Sequence, residues 1–288
     1  MSSKKLVVIG ATGKQGGAVL SALHQDASSS NTTIYAAHRK PASAAALRKK
    51  YPSIKVIQGD MNDPATIFRA VGAAPDAVYF MTPSNDKDEI KLGQAIISAA
   101  VHAGTKHIVM SSVDRGAGGN VRSGVDIWDT KHEIEAFLRN QSGVTYTIIR
   151  PAAFLENFVP GFIGQVYTSV WRNCVDGRKM ALVALKDIGA MAAKAMVAAE
   201  EYRNAEINLA GDNLTYEEAR HIFAKETQGR MLPTANKFLV LILVALMKDL
   251  KQMAVFYKEK DTGAEVQHGF INWGAYIRQS EYMSGNKS

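Results

Sequence analysis

The residues with the plainest chemical potential stand near the start of the chain, where Gly10-Ala11-Thr12-Gly13-Lys14-Gln15-Gly16-Gly17 follows an apolar run at 6–9. Glycines at 10, 13 and 16 let a backbone turn sharply after a strand, approach an anion without Cβ atoms in the way, and pack the next helix closely. A helix opening at such a turn offers unpaired N–H groups and the positive end of its dipole, which is the chemistry of binding a dinucleotide pyrophosphate. A bare glycine-rich turn of an α/β protein is the alternative; the strand before it and the helical spacing of Ala18, Val19, Leu20 and Leu23 after it favour the nucleotide. Gly10, Ala11, Thr12, Gly13, Lys14, Gln15 and Gly16 are therefore candidate cofactor residues.

A second chemical position is the end of the next strand-like run, Ala36-Ala37-His38-Arg39-Lys40-Pro41. An acidic side chain there accepts hydrogen bonds from a free ribose, whereas a basic one accommodates a 2′-phosphate. No carboxylate is present. Arg39 offers a planar donor fork and Lys40 a point charge, so NADP(H) is expected rather than NAD(H), unless both are simply solvated turn charges. After the third run, Gln58-Gly59-Asp60-Met61 puts Asp60 where it can meet the adenine amine or equally serve as a turn residue.

These groups need a scaffold, and the chain supplies an alternating one. Apolar runs at 6–9, 34–37, 54–58, 77–81, 108–110 and 147–149 are separated by helical patterns, which predicts a doubly wound parallel sheet, a Rossmann-type α/β fold. The pattern at 86–102 predicts a helix ended by Gly104. Beyond Arg150-Pro151 the regularity changes. We read 1–153 as a nucleotide-binding domain, rejoined by about 181–210, and assign 154–180 and 211–288 to a smaller, mostly helical substrate region. Within these, Asp187 is expected to cap a helix, Glu206 to open a strand, and Thr215 with Glu218 to form a capping box. The densest apolar run, 238–247, is expected as a buried or pocket-lining helix, with a membrane-facing or partner-facing helix, or a dimer interface, as the alternative.

Bulk properties narrow the classes. The 288 residues carry 47% hydrophobic and 21% charged side chains, a folded-domain composition, and the net charge of +7 is scattered rather than gathered into a nucleic-acid stripe. The run at 238–247 is short of the roughly 20 residues a membrane span needs, so no span is expected. One cysteine, Cys174, excludes an internal disulfide, and the first strand begins too early for a leader, which points to the cytoplasm. His102, His107 and His132 lack metal-ligand spacing, so no metal is expected.

The segments Gly10 to Gly17, Arg39-Lys40-Pro41, Gln58-Gly59-Asp60, Asp129-Thr130-Lys131-His132-Glu133-Ile134-Glu135 and Arg150-Pro151-Ala152-Ala153-Phe154-Leu155-Glu156-Asn157-Phe158 together resemble the NmrA-like family of atypical short-chain dehydrogenases. The resemblance implies that Thr12, Gly13, Lys14 and Gln15 wrap the pyrophosphate, that Arg39 meets the 2′-phosphate, and that Asp60 and Met61 border the adenine. It implies further that Thr82 and Pro83 border a ribose, that Phe154, Leu155, Glu156 and Asn157 face the nicotinamide, and that Lys131 holds the nicotinamide ribose. Ordinary members of the wider class use Tyr-x-x-x-Lys, with the tyrosine as proton donor. Here the position four before Lys131 is Ile127, which leaves Lys131 as the candidate catalytic residue and Ser111 and Ser112 as candidate carbonyl contacts. The expected activity is NADPH-dependent reduction of a small carbonyl, quinone or unsaturated metabolite, with Phe154, Phe158, Phe162, Tyr167 and Trp171 as pocket material. The alternative is a non-catalytic NADP(H) sensor that regulates a protein partner; a homodimer is compatible with either.

Overall fold

The computed structural model describes residues 3–26, 31–84, 88–116, 120–260 and 264–284. The strands are β1 (Lys4–Val8), β2 (Thr32–His38), β3 (Lys55–Gln58), β4 (Ala77–Met81), β5 (His107–Ser111), β6 (Thr145–Pro151), β7 (Ala153–Phe154), β8 (Met180–Val183), β9 (Ala205–Leu209) and β10 (Asp212–Leu214). The helices are α1 (Lys14–Gln25), α2 (Pro41–Lys50), α3 (Pro64–Val71), α4 (Glu89–His102), α5 (Asp126–Arg139), α6 (Phe162–Cys174), α7 (Leu185–Val197), α8 (Tyr216–Glu226), α9 (Lys237–Leu246), α10 (Lys248–Glu259), α11 (Trp273–Gln279) and α12 (Glu281–Ser284).

A seven-stranded sheet runs in the order β3-β2-β1-β4-β5-β6-β9. The pairs from β3 to β6 are all parallel, with Leu6 opposite Ile34 on one side and Ala77 on the other. This is the doubly wound order, and its direction reverses between β1 and β4, where such sheets bind ligands beyond their C-terminal strand ends. All six expected strand runs lie in it. The expected helix at 86–102 is α4, its first three residues falling partly outside the described residues.

Two compact units divide the chain. The first comprises Met1–Ser112, Thr130–Arg150 and Ile188–Ile207. Its sheet buries Val7, Ile9, Val78, Phe80, Ile108 and Met110 in one cluster with Ile96 and Ile97 of α4 and Ile134 of α5. Each such side chain removed from water contributes about 1.5–3 kcal/mol. α1 buries Val19, Leu20 and Leu23, and α2 and α3 start on Pro41 and Pro64, residues pre-shaped for a first helical position.

The second unit comprises Val113–Asp129, Pro151–Asp187 and Asn208–Ser288. It holds a three-stranded sheet, β10-β8-β7, and an aromatic core in which Trp273 meets Phe158 edge-on and Trp171 packs beside both. Its boundaries differ from the expected 154–180 and 211–288. Residues 113–129 join it because Val125 and Trp128 pack on Phe256 of α10, and 181–187 join it because β8 pairs with β7 and β10 rather than with the large sheet. The region is accordingly less purely helical than its sequence pattern suggests.

Three local expectations have clear outcomes. Thr215 and Glu218 form the reciprocal capping box of α8. Asp187 does not cap α7: the helix starts two residues earlier, the Glu156 carboxylate accepts from Leu185 N at 3.0 Å, and Asp187 accepts from Ile271 N at 2.7 Å. The 238–247 run forms α9, capped by Asn236, but only Val240 in it is buried while Phe238 and Leu246 are 77% and 78% exposed. A helix apolar on every side carries no polar stripe to choose its outward face, so hydropathy alone could not tell a buried helix from a presented one.

Candidate functional site

The turn after β1 has the local geometry that its glycines require. Gly10 sits at φ +76°, in the left-handed region, and Gly13 N donates to Gly10 O at 2.9 Å. A Cβ on Gly16 would collide with the Gly10 carbonyl, so this residue lets α1 approach the strand end. Gly13 is the N-cap of α1 and has no side chain to cap with. The first N–H groups of the helix therefore point outward without a side-chain acceptor, as an anion-binding helix start does.

Around this turn lies a cleft of about 340 Å³, wholly within the first unit. Gly10, Thr12 and Gly13 line it from the turn, His38 and Arg39 from the end of β2, Asp60, Met61 and Asn62 from beyond β3, and Met81 and Pro83 from the end of β4. Arg39 is exposed and makes no ion pair among the described residues. Asp60 uses Oδ1 to accept from Asn62 N at 3.0 Å, which stiffens the loop it sits in.

Of the candidate residues, Gly10, Thr12, Gly13, Arg39, Asp60, Met61 and Pro83 thus share one cleft. Lys14 and Lys40 are exposed at its margin without lining it, and Ala11 and Gly16 lie buried behind the turn. Gln15 is turned inward, where its Oε1 accepts from Ser111 Oγ at 2.6 Å and Tyr79 OH at 3.4 Å. Burial pushes the Tyr79 phenol far above its usual range. Ser111 is committed to that contact and Ser112 donates to Glu135, so both hydroxyls are engaged inside the unit.

Lys131 is the most consequential placement. It is 4% exposed, and its Nζ donates to Thr82 O and Thr82 Oγ1, both at 2.7 Å, and to Glu89. Those contacts use all three ammonium donors. Glu89, itself 2% exposed, also accepts from Thr82 Oγ1 at 2.7 Å and from Thr130 Oγ1 at 2.6 Å. Burial pulls the Lys131 ammonium below lysine's usual range, against the opposing attraction of Glu89. The lysine tethers the Thr82-Pro83 segment that borders the cleft; in this arrangement it has no donor left for a reacting atom.

Two of the segments that carry the family resemblance, 129–135 and 150–158, meet through a second buried network. Arg150 Nη2 lies 2.8 Å from Glu135 Oε2, and Arg139 reaches the same carboxylate at 2.8 Å and Glu206 at 2.6 Å. Burial alone would lower the Arg150 value, but Glu135 and Glu206 outweigh it and raise it. The network joins α5, β6 and β9 within the first unit.

Residues 154–157 belong to the second unit. Phe154 pairs with Val183 in the small sheet, Leu155 is fully buried in the aromatic core, and Glu156 holds the start of α7. Phe158 and Trp171, expected as pocket material, are core residues of the same unit, whereas Phe162 is exposed. The lone thiol of Cys174 is buried, and burial raises its pKa, which makes it a poor nucleophile.

Sequence reasoning missed His38 and Asn62 as lining residues, and above all Glu89. An acid at a helix start satisfies the helix dipole, so nothing local set Glu89 apart from an ordinary first-turn glutamate. Asn62, two residues past Asp60 in a tight turn, was the one with a readable signal.

The profile of the NmrA-like family matches residues 2–281. An NAD(P)H azoreductase of Xenophilus azovorans is 30% identical over 156 residues, which is 54% of this chain and 50% of that protein. The chain spans about half the length of the curated relatives it matches. Among solved structures, an NADPH-dependent quinone oxidoreductase of Escherichia coli complexed with NADPH superposes with a TM-score of 0.75 at 20% identity, over 96% of this chain and 98% of that one. A Citrobacter sp. triphenylmethane reductase complexed with NADP(H) superposes at 0.73 with 18% identity, over 96% and 99%. Among the described residues no helix is long and apolar enough to cross a membrane.

Proposed function

The chain belongs to the NmrA-like family, and on that premise we propose that it is an NADPH-dependent reductase of a conjugated electrophile, a quinone or a dye-like or unsaturated carbonyl acceptor. The observation that carries the reading is the cleft of the first unit. There a helix start without a capping side chain, a glycine turn that admits no Cβ at Gly16 and an Arg39 that makes no ion pair among the described residues converge. Those residues fit a dinucleotide with a 2′-phosphate, since no carboxylate stands at the end of β2 to compete for a free ribose.

When bound, the cofactor supplies a hydride. The chain's own part is positional: the N–H groups of the turn and of α1 hold the pyrophosphate, Arg39 the 2′-phosphate, and Asp60 with Met61 the adenine edge. Lys131 and Glu89 keep the Thr82-Pro83 edge of the cleft in place. Ile127, where a typical member of the wider class has its tyrosine, is packed beside Val125 and Trp128. Without that phenol and with every Lys131 donor taken, acceptors whose reduced anion is stable enough to take its proton from water are favoured over simple ketones. A quinone is of that kind: hydride addition yields a hydroquinone anion that solvent protonates. The azoreductase, quinone oxidoreductase and triphenylmethane reductase among the similar proteins are named for conjugated acceptors rather than simple ketones, which supports the reading; a triarylmethane cation takes up hydride to a neutral product and needs no proton at all.

The test is NADPH oxidation by purified protein offered a benzoquinone, an azo dye, a triarylmethane cation and a simple ketone. Turnover is expected with at least one of the first three and not with the ketone, and NADPH should bind at least ~10-fold more tightly than NADH, as one charge-assisted contact provides. The saturated Lys131 ammonium also favours a second reading, an NADP(H) sensor. It predicts equally tight NADPH binding with no turnover on any acceptor, and a protein partner captured in only one cofactor state.

A further inference from the structure

We propose that α9, with the exposed start of α6, is a docking surface for an anionic lipid bilayer, on which the second unit rests without spanning it. The surface is unlike the rest of the molecule. Phe238, Ile242 and Leu246 of α9 are 77%, 54% and 78% exposed, and Phe162 and Ile163 of α6 are 59% and 68% exposed. The two helices pack together, and Ser169 Oγ of α6 accepts from Ala235 N at 2.8 Å just before α9 begins, which seats the start of α9 against α6. Large apolar side chains clustered in this way on a folded unit mark a surface meant to be covered.

Charge identifies the covering. Between 230 and 260 the chain carries Arg230, Lys237, Lys248, Lys251, Lys258 and Lys260 against Asp249 and Glu259. No carboxylate occurs from 157 to 175, which includes all of α6. Lys237 starts α9, and α10, which follows Met247 directly, exposes Lys248, Lys251, Val255 and Lys258 at a spacing that places them on one helix face. Lys248 is partly neutralised by Asp126, while Lys237 and Lys251 make no ion pair among the described residues. An apolar helix bordered by lysines is suited to lie in a lipid interface, its side chains among the acyl chains and its ammonium groups at anionic headgroups. A second copy of this chain is the poorer occupant, because a two-fold contact brings the same lysine-bordered patch of both copies together, with a net charge of +7 on each. At 1.5 Å per residue α9 is about 15 Å long, enough to lie on a bilayer and too short to cross it.

The experiment is cosedimentation of the full chain with vesicles of phosphatidylcholine alone and with ~30 mol% phosphatidylserine, alongside sedimentation velocity without lipid. Binding to the anionic vesicles at least ~10-fold stronger than to the neutral ones, weakened by salt, is expected of several lysines at a negative surface. Ile242→Glu with Leu246→Glu should abolish that binding while leaving NADPH affinity unchanged, and Lys237→Glu with Lys251→Glu should erase the preference for anionic lipid. Failure to bind vesicles, equal binding to both compositions, or a dimer that the Ile242→Glu/Leu246→Glu change dissociates in place of vesicle binding would each overturn the proposal. None of these results depends on whether the protein reduces a quinone.

Discussion

Replacing Glu89 with glutamine removes one charge from the Lys131 contact and almost nothing else. The amide keeps the shape and an acceptor for Thr82 or Thr130, but Lys131, 4% exposed, then has no counter-ion. Breaking a buried pair by removing one partner costs about 3–5 kcal/mol. At roughly 2–4 °C per kcal/mol for a folding unit of this size, the melting temperature at pH 7 should fall by roughly 6–20 °C. The pH dependence separates this cause from a packing defect. In the native protein the Lys131 value is already lowered by burial while Glu89 opposes the shift; without Glu89 the lowering deepens. Between that depressed folded value and the usual lysine value near ~10.4, the unfolded chain holds more protons than the folded one, so stability rises with pH. Below that window both states are protonated and the whole penalty is present. Glu89→Gln should therefore recover part of its loss when melting is followed by circular dichroism from pH 7 to pH ~9.5. Combining it with Lys131→Met should restore stability at pH 7 and remove the recovery. A Glu89→Gln protein within ~1 kcal/mol of wild type at pH 7, or one whose deficit does not shrink with rising pH, would refute the view of Lys131 as a buried cation held by Glu89.

The glycine turn predicts a contrast between neighbours. Gly16→Ala places a methyl against the Gly10 carbonyl and should weaken NADPH binding at least ~100-fold in a fluorescence titration, whereas Gly17→Ala, whose Cβ would sit 3.8 Å from Ala11 O, should leave affinity intact and add about 0.5–1 kcal/mol of helix stability. Arg39→Ala should cost roughly tenfold to a hundredfold in NADPH affinity, the worth of a charge-assisted contact, with little change for NADH; equal losses for both cofactors would argue against its pairing with a 2′-phosphate. Glu135→Ala leaves the buried Arg150 guanidinium with Glu206 as its remaining carboxylate and should destabilise the protein by about 1–3 kcal/mol in chemical denaturation, the worth of a lost charged hydrogen bond, a loss that Glu135→Asp does not fully repair because the shorter side chain cannot span to both arginines.

The conformation of the glycine turn and the place of Arg39 at the end of β2 were legible in the sequence because each is set by neighbours a few residues away: a strand, a turn and a helix start are local structures, and the end of β2 is found by counting along an apolar run. The parallel sheet was legible for the same reason, since strand and helix periods repeat along the chain and the doubly wound order follows from short right-handed connections. What escaped was set by distance in sequence. Glu89 and Lys131 meet only because α4 and α5 cover the same region of the sheet, and no local pattern distinguishes a lysine that reaches a cofactor from one whose three donors are already spent inside the fold. Glu135 and Arg150, which stand in two of the segments that carry the family resemblance, form a buried ion pair. In α9 the sequence stated hydrophobicity without direction; the packing of α6 against one side of the helix decided that Val240 is buried and Phe238, Ile242 and Leu246 face outward. Backbone geometry is short-range and can be read along the chain. Charge pairing and the choice of which apolar surface stays exposed are settled only when distant segments compete for the same space.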